Sequence, residues 1–384
     1  MNMHLMKVLG VAGSAGALAL LCLTTGGARA DAAAPGVAGH AAPTASLEVP
    51  AGFEPDAASL VSSAWGVVLG GSGCASSRPC PARLAVTADG GARWSLMRAP
   101  AVWLAGASSD ESRQVNQVLF ASPADGWLYD QYGSRQMWVT GDGGASWREI
   151  TLPGDIETMA ASAHTVYAVV GGSLYRSPIG QNAWSPVSSG TKYGPVTGST
   201  LAVSGNSVWL GTGSYLWTTA DGTHWARYPL RSPGKAYGVP YGLSGIAAAS
   251  PADVAFLWGA AQGMYHTVMR VQVSFNGGRT ERQTLNAPPS AGDIYGLAVA
   301  PGQFGVLLVA VVTPGEDLIY RTANLGRTWT TFGTPGTQGG VQLNSLEFIS
   351  PVVACYVAGD PEFGEPGELM WTTNAGLSWH KVRF

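Results

Sequence analysis

The chain reads as an all-β protein: a seven-bladed β-propeller of four-stranded antiparallel blades behind an N-terminal signal peptide. Three observations predict this. A segment of the form Ser/Thr-x-Asp-x-Gly-x-x-Trp recurs seven times at intervals of 37 to 55 residues, and a long period of this kind marks a repeat array or propeller. Charged residues are only 12% of the chain, while Gly supplies 53 and Trp 14 of its 384 residues, a composition of short apolar strands and tight turns. The length left after residue 50 suits seven blades in one domain.

The two strongest copies are Thr87-Ala-Asp89-Gly-Gly91-Ala-Arg-Trp94 and Thr140-Gly-Asp142-Gly-Gly144-Ala-Ser-Trp147. Looser copies run from Ser177 to Trp184, Thr219 to Trp225 (with Asp221), Ser274 to Glu281, Thr322 to Trp329 and Thr372 to Trp379. The chemistry is that of a hairpin. Asp or Asn folds back onto nearby backbone N–H groups, and Gly supplies a positive φ. Trp opens the next strand and is large enough to bury much of its area against a neighbour. Asn276, Asn324 and Asn374 replace the acid, which keeps the turn and removes the charge. The position therefore asks for a structural acceptor, not a catalytic carboxylate. Ile179 in place of the acid, Glu281 in place of Trp and the one-residue shortening after Thr219 mark degenerate turns.

This segment resembles the Asp-box, or bacterial neuraminidase repeat, and the resemblance covers nearly all of the chain after residue 50. Such boxes occur in sialidases, two-domain xyloglucanases, sortilin-type receptors and non-enzymatic propellers. The spacing and the Thr-x-Asp-Gly-Gly-x-x-Trp variant are most similar to the photosystem II stability and assembly-factor type. The resemblance implies that each box lies between the third and fourth strands of a blade, away from the usual ligand face.

Strand-like runs fit that phase. Blade two reads Val115 to Phe120, Trp127 to Asp130, Gln136 to Thr140 and Trp147 to Ile150; blade seven reads Gln342 to Phe348, Val353 to Ala358, Leu369 to Thr373 and Trp379 to Phe384. A Ser-Pro echo at Ser122-Pro123, Ser250-Pro251 and Ser350-Pro351 falls at the first-to-second strand turn, where Pro removes no ladder bond. Aromatics four residues before the box acid (Trp138, Tyr175, Trp217, Tyr320) fit blade packing better than a ligand ladder.

Residues 1–30 read as a signal peptide. Lys7 precedes an apolar run from Val8 to Leu23, and Ala28-Arg29-Ala30 offers a small-x-small cleavage site after Ala30. Residues 31–50, rich in Ala, Pro, Gly and Thr, read as a linker, and 51–384 as the propeller. Secretion, with no stable membrane insertion after cleavage, is expected. Loss of Lys7 and Arg29 takes the net charge from −3 to −5, which gives no footing for nucleic acid. An oxidising compartment favours a disulfide between Cys74 and Cys80, which share one Gly/Ser/Pro loop, with Cys355 a buried small apolar residue. No metal, no cofactor and a monomeric state are expected.

Function is then assigned to the opposite face, built by loops between strands two and three and between blades. Binding candidates there are Trp103, Tyr132, Arg135, Tyr193, Tyr237, Tyr241, Tyr265 and His266, since aromatic rings beside hydroxyl and charged groups suit an extended peptide or a carbohydrate polymer. The alternative is a glycoside hydrolase of sialidase or xyloglucanase-like type, which needs two facing carboxyls. Only Asp110 or Glu111 with Asp360 or Glu362 offers such a pair, and the Arg-Ile-Pro expected of a sialidase is absent. A non-catalytic binding or assembly propeller is the preferred reading, its partner a protein segment or a cell-surface glycan.

Overall fold

Seven antiparallel sheets, each folded from its own stretch of chain, follow one another in order. The structure, a computed structural model, describes residues 47–74, 80–105, 113–131, 133–162, 164–187, 200–212, 214–263, 266–280, 282–283, 286–289, 292–313, 317–333, 343–359 and 367–384. Blade 1 consists of Phe53–Leu60, Gly66–Ser72, Arg83–Thr87 and Ser95–Met97, with Leu47–Glu48 added outside as a fifth strand. The end of the expected linker thus pairs with the blade. Blade 2 is Gln117–Phe120, Gly126–Tyr129, Gln136–Thr140 and Arg148–Thr151, each within two residues of its predicted run. Blades 3 to 7 open with Ile156–Ala161, Leu201–Ser204, Gly242–Ala248, Asp293–Val299 and Leu343–Phe348. These first strands touch in cyclic order, the last returning to Phe53–Leu60, so they form the wall of a closed ring.

Burial explains the strand types. Second strands such as Leu307–Val312 and Ala354–Ala358 are buried at every residue, because a neighbouring blade covers each of their faces. They therefore read as continuous apolar runs without alternation. Fourth strands lie at the rim and are short and largely exposed, as in Arg148–Thr151. Apolar clusters fill each of the seven blade junctions, from the blade 1–2 cluster around Leu69 and Leu128 to the blade 7–1 cluster around Val68 and Trp371. Trp138, Trp217 and Tyr320 are buried and Tyr175 half-buried in these junctions, as blade packing requires.

Among the described residues no strand is exchanged to close the ring. Across the 7–1 junction, Ala58 N–H donates to Ser345 Oγ (2.9 Å), Leu60 N–H to Glu347 Oε1 (2.9 Å), and Asn344 Nδ2 to Asp56 O (3.3 Å). The terminal Phe384 ring sits 4.7 Å from Phe53 and 5.1 Å from Trp94. The junction is thus sewn by blade 7 side chains bonded to the blade 1 backbone.

Cys74 and Cys80 form the expected disulfide, and Cys355 is free and buried. The bridge lies on Gly71, where an added Cβ would stand 2.3 Å from Cys80 Sγ, so only Gly fits beneath it. The signal peptide, its cleavage site and most of the linker lie outside the described residues. Among the described residues, no helix is long and apolar enough to cross a membrane.

Candidate functional site

Hydrogen bonds sort the turns into two faces. Box backbone N–H groups bond the carbonyls of first-to-second strand turns at Gly90→Ala64, Gly143→Ala124, Gly277→Ala252, Leu325→Gly305 and Ala375→Val352. Both kinds of turn therefore share one face, and antiparallel alternation sends the other connections to the opposite, loop face.

On the box face the side chains are consumed by the turns. In blade 2, Thr140 Oγ1 donates to Asp142 Oδ1 (2.8 Å) and accepts from Gly144 N–H (2.9 Å), while Asp142 Oδ1 also accepts from Ser146 N–H (2.8 Å). The same bonds recur around Asp89, Asn276, Asn324 and Asn374. Exchange of Asp for Asn reverses one bond only. Ser146 Oγ donates to Asp142 Oδ2 (2.6 Å), whereas Asn324 Nδ2 donates to Thr328 Oγ1 (2.9 Å). These bonds hold the carboxyls below the usual range: chiefly the Arg93 N–H at Asp89, the Ser146 hydroxyl at Asp142 and the His224 N–H at Asp221. Groups so acidic make poor proton acceptors near neutrality.

Every box Trp is half-buried, not fully enclosed. Trp147 Nε1 donates to Arg98 O (2.8 Å) and Trp329 Nε1 to Asn286 O (3.3 Å), each on the preceding blade's exit chain. The rings tie blade to blade while one side stays in water.

The loop face is less uniform. Trp103 is half-buried in a short parallel pairing, Trp103–Leu104 with Gln114–Val115, beside the disulfide loop. Arg135 is exposed and forms an ion pair with Asp155 at 3.4 Å. His266 is exposed where blade 5's third strand begins. Tyr237 is 87% exposed, at the tip of a hairpin formed by Lys235–Ala236 and Val239–Pro240 between blades 4 and 5. Tyr241, expected on an open loop, is instead buried in the blade 4–5 core under the Arg270 guanidinium, 5.9 Å from its ring centroid. The hairpin folds back and carries Tyr241 inward, which a Gly- and Pro-rich stretch does not disclose. Tyr132, Tyr193, Tyr265, Asp110, Glu111, Asp360 and Glu362 lie outside the described residues.

One feature of this face was not read from the sequence. Five of the first strands carry a β-bulge in their opening half, placing Asp56, Glu157, Ser244, Tyr295 and the Ser345-Leu346 pair out of register. Bulges re-aim side chains at barrel rims and sites, and these stand at the loop-face end of the ring. At this end of blade 1's first strand burial raises the Glu54 carboxyl, while at that strand's other end, beside Leu60, burial holds Glu347 up at about 8. Among the described residues no group of three or more His, Cys, Asp or Glu could hold a metal ion.

No family model and no curated protein matches the chain. Solved structures do match. YCF48 bound to D1 peptide is 15% identical, covering 86% of this chain and 96% of that one, with a TM-score of 0.52. KlHsv2 with loop 6CD replaced by a Gly-Ser linker is 11% identical over 86% and 100%, at 0.54. A GH74 xyloglucanase from Xanthomonas campestris is 13% identical over 86% and 67%, at 0.43. The first two, with TM-scores above 0.5, show a shared fold and nothing about chemistry.

Proposed function

We propose that this is an exported, non-catalytic binding propeller whose loop face recognises an extended polymer, a protein segment or a glycan chain. The observation that carries the reading is the contrast between faces. Box side chains spend their hydrogen bonds inside their own turns, whereas the loop face holds out Tyr237, Arg135 and His266 on braced backbone. A phenol ring, a guanidinium and an imidazole offer apolar area together with hydrogen-bonding groups. The Cys74–Cys80 bridge supports an extracytoplasmic location, where disulfides persist. That a neighbour of the same fold is described as bound to a peptide and others as GH74 enzymes keeps both peptide and glycan in view. The hydrolase alternative would need a carboxyl pair facing across the loop-face mouth.

A glycan and peptide-array screen of the chain, with hydrolysis assays on every glycan retained, tests the reading. Retention that Arg135→Glu weakens without lowering Tm supports it. Turnover of a retained glycan, or binding lost only on substitution beside Asp89 or Asp142, refutes it.

A further inference from the structure

Tyr237 occupies a position that suits it badly. It and Gly238 are the two central residues of a two-residue hairpin, with φ of 48° and 88°, the signature of a type I′ turn. Such turns favour Asn-Gly, Asp-Gly or Gly-Gly, because a Cβ at positive φ crowds the backbone. A tyrosine therefore carries backbone strain. It also leaves a large ring 87% in water, without the burial that normally stabilises an aromatic side chain.

The hairpin beneath it is rigid. Ala236, Tyr241 and Leu230 are buried in the blade 4–5 core. Gln262 Nε2 donates to Ala236 O (3.0 Å), Tyr241 N–H to Gly234 O (3.1 Å) and Ser232 Oγ to Tyr241 O (3.1 Å). A flexible loop exposes rings by accident; here the base is braced and only the tip projects. Strain kept at a rigid tip with no return inside the fold points to a contact outside it.

The surroundings narrow the partner. Arg231 and Lys235 are exposed on the same projection, and no Asp or Glu occurs between Asp221 and Asp253, in a chain whose net charge is −3. The segment Ser232-Pro-Gly-Lys-Ala-Tyr-Gly-Val-Pro-Tyr241 has the Tyr, Ser and Gly composition of protein-recognition loops, where Tyr gives large rigid contact area at low entropic cost. We infer that the 235–240 hairpin is a recognition finger, Tyr237 its anchor and Arg231 and Lys235 its charge filter, for an acidic polypeptide segment. This rests on the loop-face reading and gives it a site and a partner class.

The test uses the full chain on an array of 15-residue peptides, each with one aromatic residue, in acidic and basic sets, with polygalacturonate as the anionic-glycan arm. Acidic peptides should be retained at least ten-fold over basic ones. Tyr237→Asn should lose at least ten-fold of that signal yet melt at the same temperature as the parent or higher, since Asn tolerates the turn. Lys235→Glu should abolish the preference for acid. A lower Tm for Tyr237→Asn would show the ring to be structural and overturn the inference, as would retention of polygalacturonate without peptides. If Tyr237→Asn binds normally while Trp103→Ala does not, the finger fails and the loop-face reading stands. If nothing is retained on any arm, both fall.

Discussion

Glu347 is a buried carboxyl held far above its ordinary range. It lies in the blade 7–1 junction, accepts the Leu60 N–H, and is held up at about 8 by burial. Burial, with the Glu347 carboxyl nearby as a second cause, also pushes the Cys355 thiol up. The folded chain therefore keeps a proton that the unfolded chain releases above about 4.5. Stability should fall as pH rises from about 5 to 8, by at most about 1.4 kcal/mol per pH unit from this group. Glu347→Gln keeps an acceptor for Leu60 and removes the charge, so denaturant midpoints of that variant should lose this slope and exceed the parent's at pH 8. A slope unchanged in the variant would remove Glu347 as its cause. Among the boxes, Asp142→Asn should cost less than about 0.5 kcal/mol, because Asn need only reverse its bond with the Ser146 hydroxyl. Asp142→Ala strands several donors and should cost about 1 to 2 kcal/mol in the same unfolding measurement.

At the scale of the element, box hairpins act as rivets between blades. Gly144 has φ 83°, and an added Cβ would stand 2.6 Å from Met97 of blade 1; Gly278 has φ 87°, and a Cβ there would stand 2.3 Å from Leu216 of blade 4. Either Gly→Ala change combines backbone strain with an interblade clash. Each should destabilise by about 1 to 3 kcal/mol in chemical denaturation, with a cost below about 0.5 kcal/mol showing that the neighbouring blade gives way. Trp147→Ala removes an edge contact to Phe120 and the bond to Arg98 O, but its ring is half-buried. A cost of about 2 to 3 kcal/mol follows, below the range for a fully enclosed Trp. The spacing of Thr140, Asp142, Gly144 and Trp147 disclosed this hairpin because its bonds are local. The first-strand bulges were illegible, since they answer to ring curvature and to a partner strand, not to neighbours in sequence.

For the whole molecule, closure is the question that repeats alone do not answer. Ring closure combines the blade 7–1 apolar cluster with side-chain hydrogen bonds from Ser345, Glu347 and Asn344 and with the Phe384 wedge, and no strand is shared among the described residues. The blade 7–1 junction should therefore open first. Phe384→Ala should lower Tm and raise amide exchange in Phe53–Leu60 and Leu343–Phe348 before the blade 3–4 junction responds. Uniform exchange around the ring would show that closure is no weaker than any other contact. Thiol labelling of the folded, non-reduced chain should modify none of Cys74, Cys80 and Cys355, because two are bridged and one is buried.

The sequence by itself determined the blade number, the strand phase, the box hairpins and the Cys74–Cys80 pairing. Each depends on residues close together in the chain, where spacing is geometry. Only the tertiary structure decided that the last residues of the expected linker join blade 1, that Tyr241 turns inward while Tyr237 projects, and that Ser345, Glu347 and Asn344 seal the ring. Those outcomes depend on which distant segment arrives opposite, across as many as 288 residues of chain at Asn344 and Asp56. Periodicity announces a repeat wherever it occurs, but the repeat that must meet the first one looks like all the others until the circle is closed.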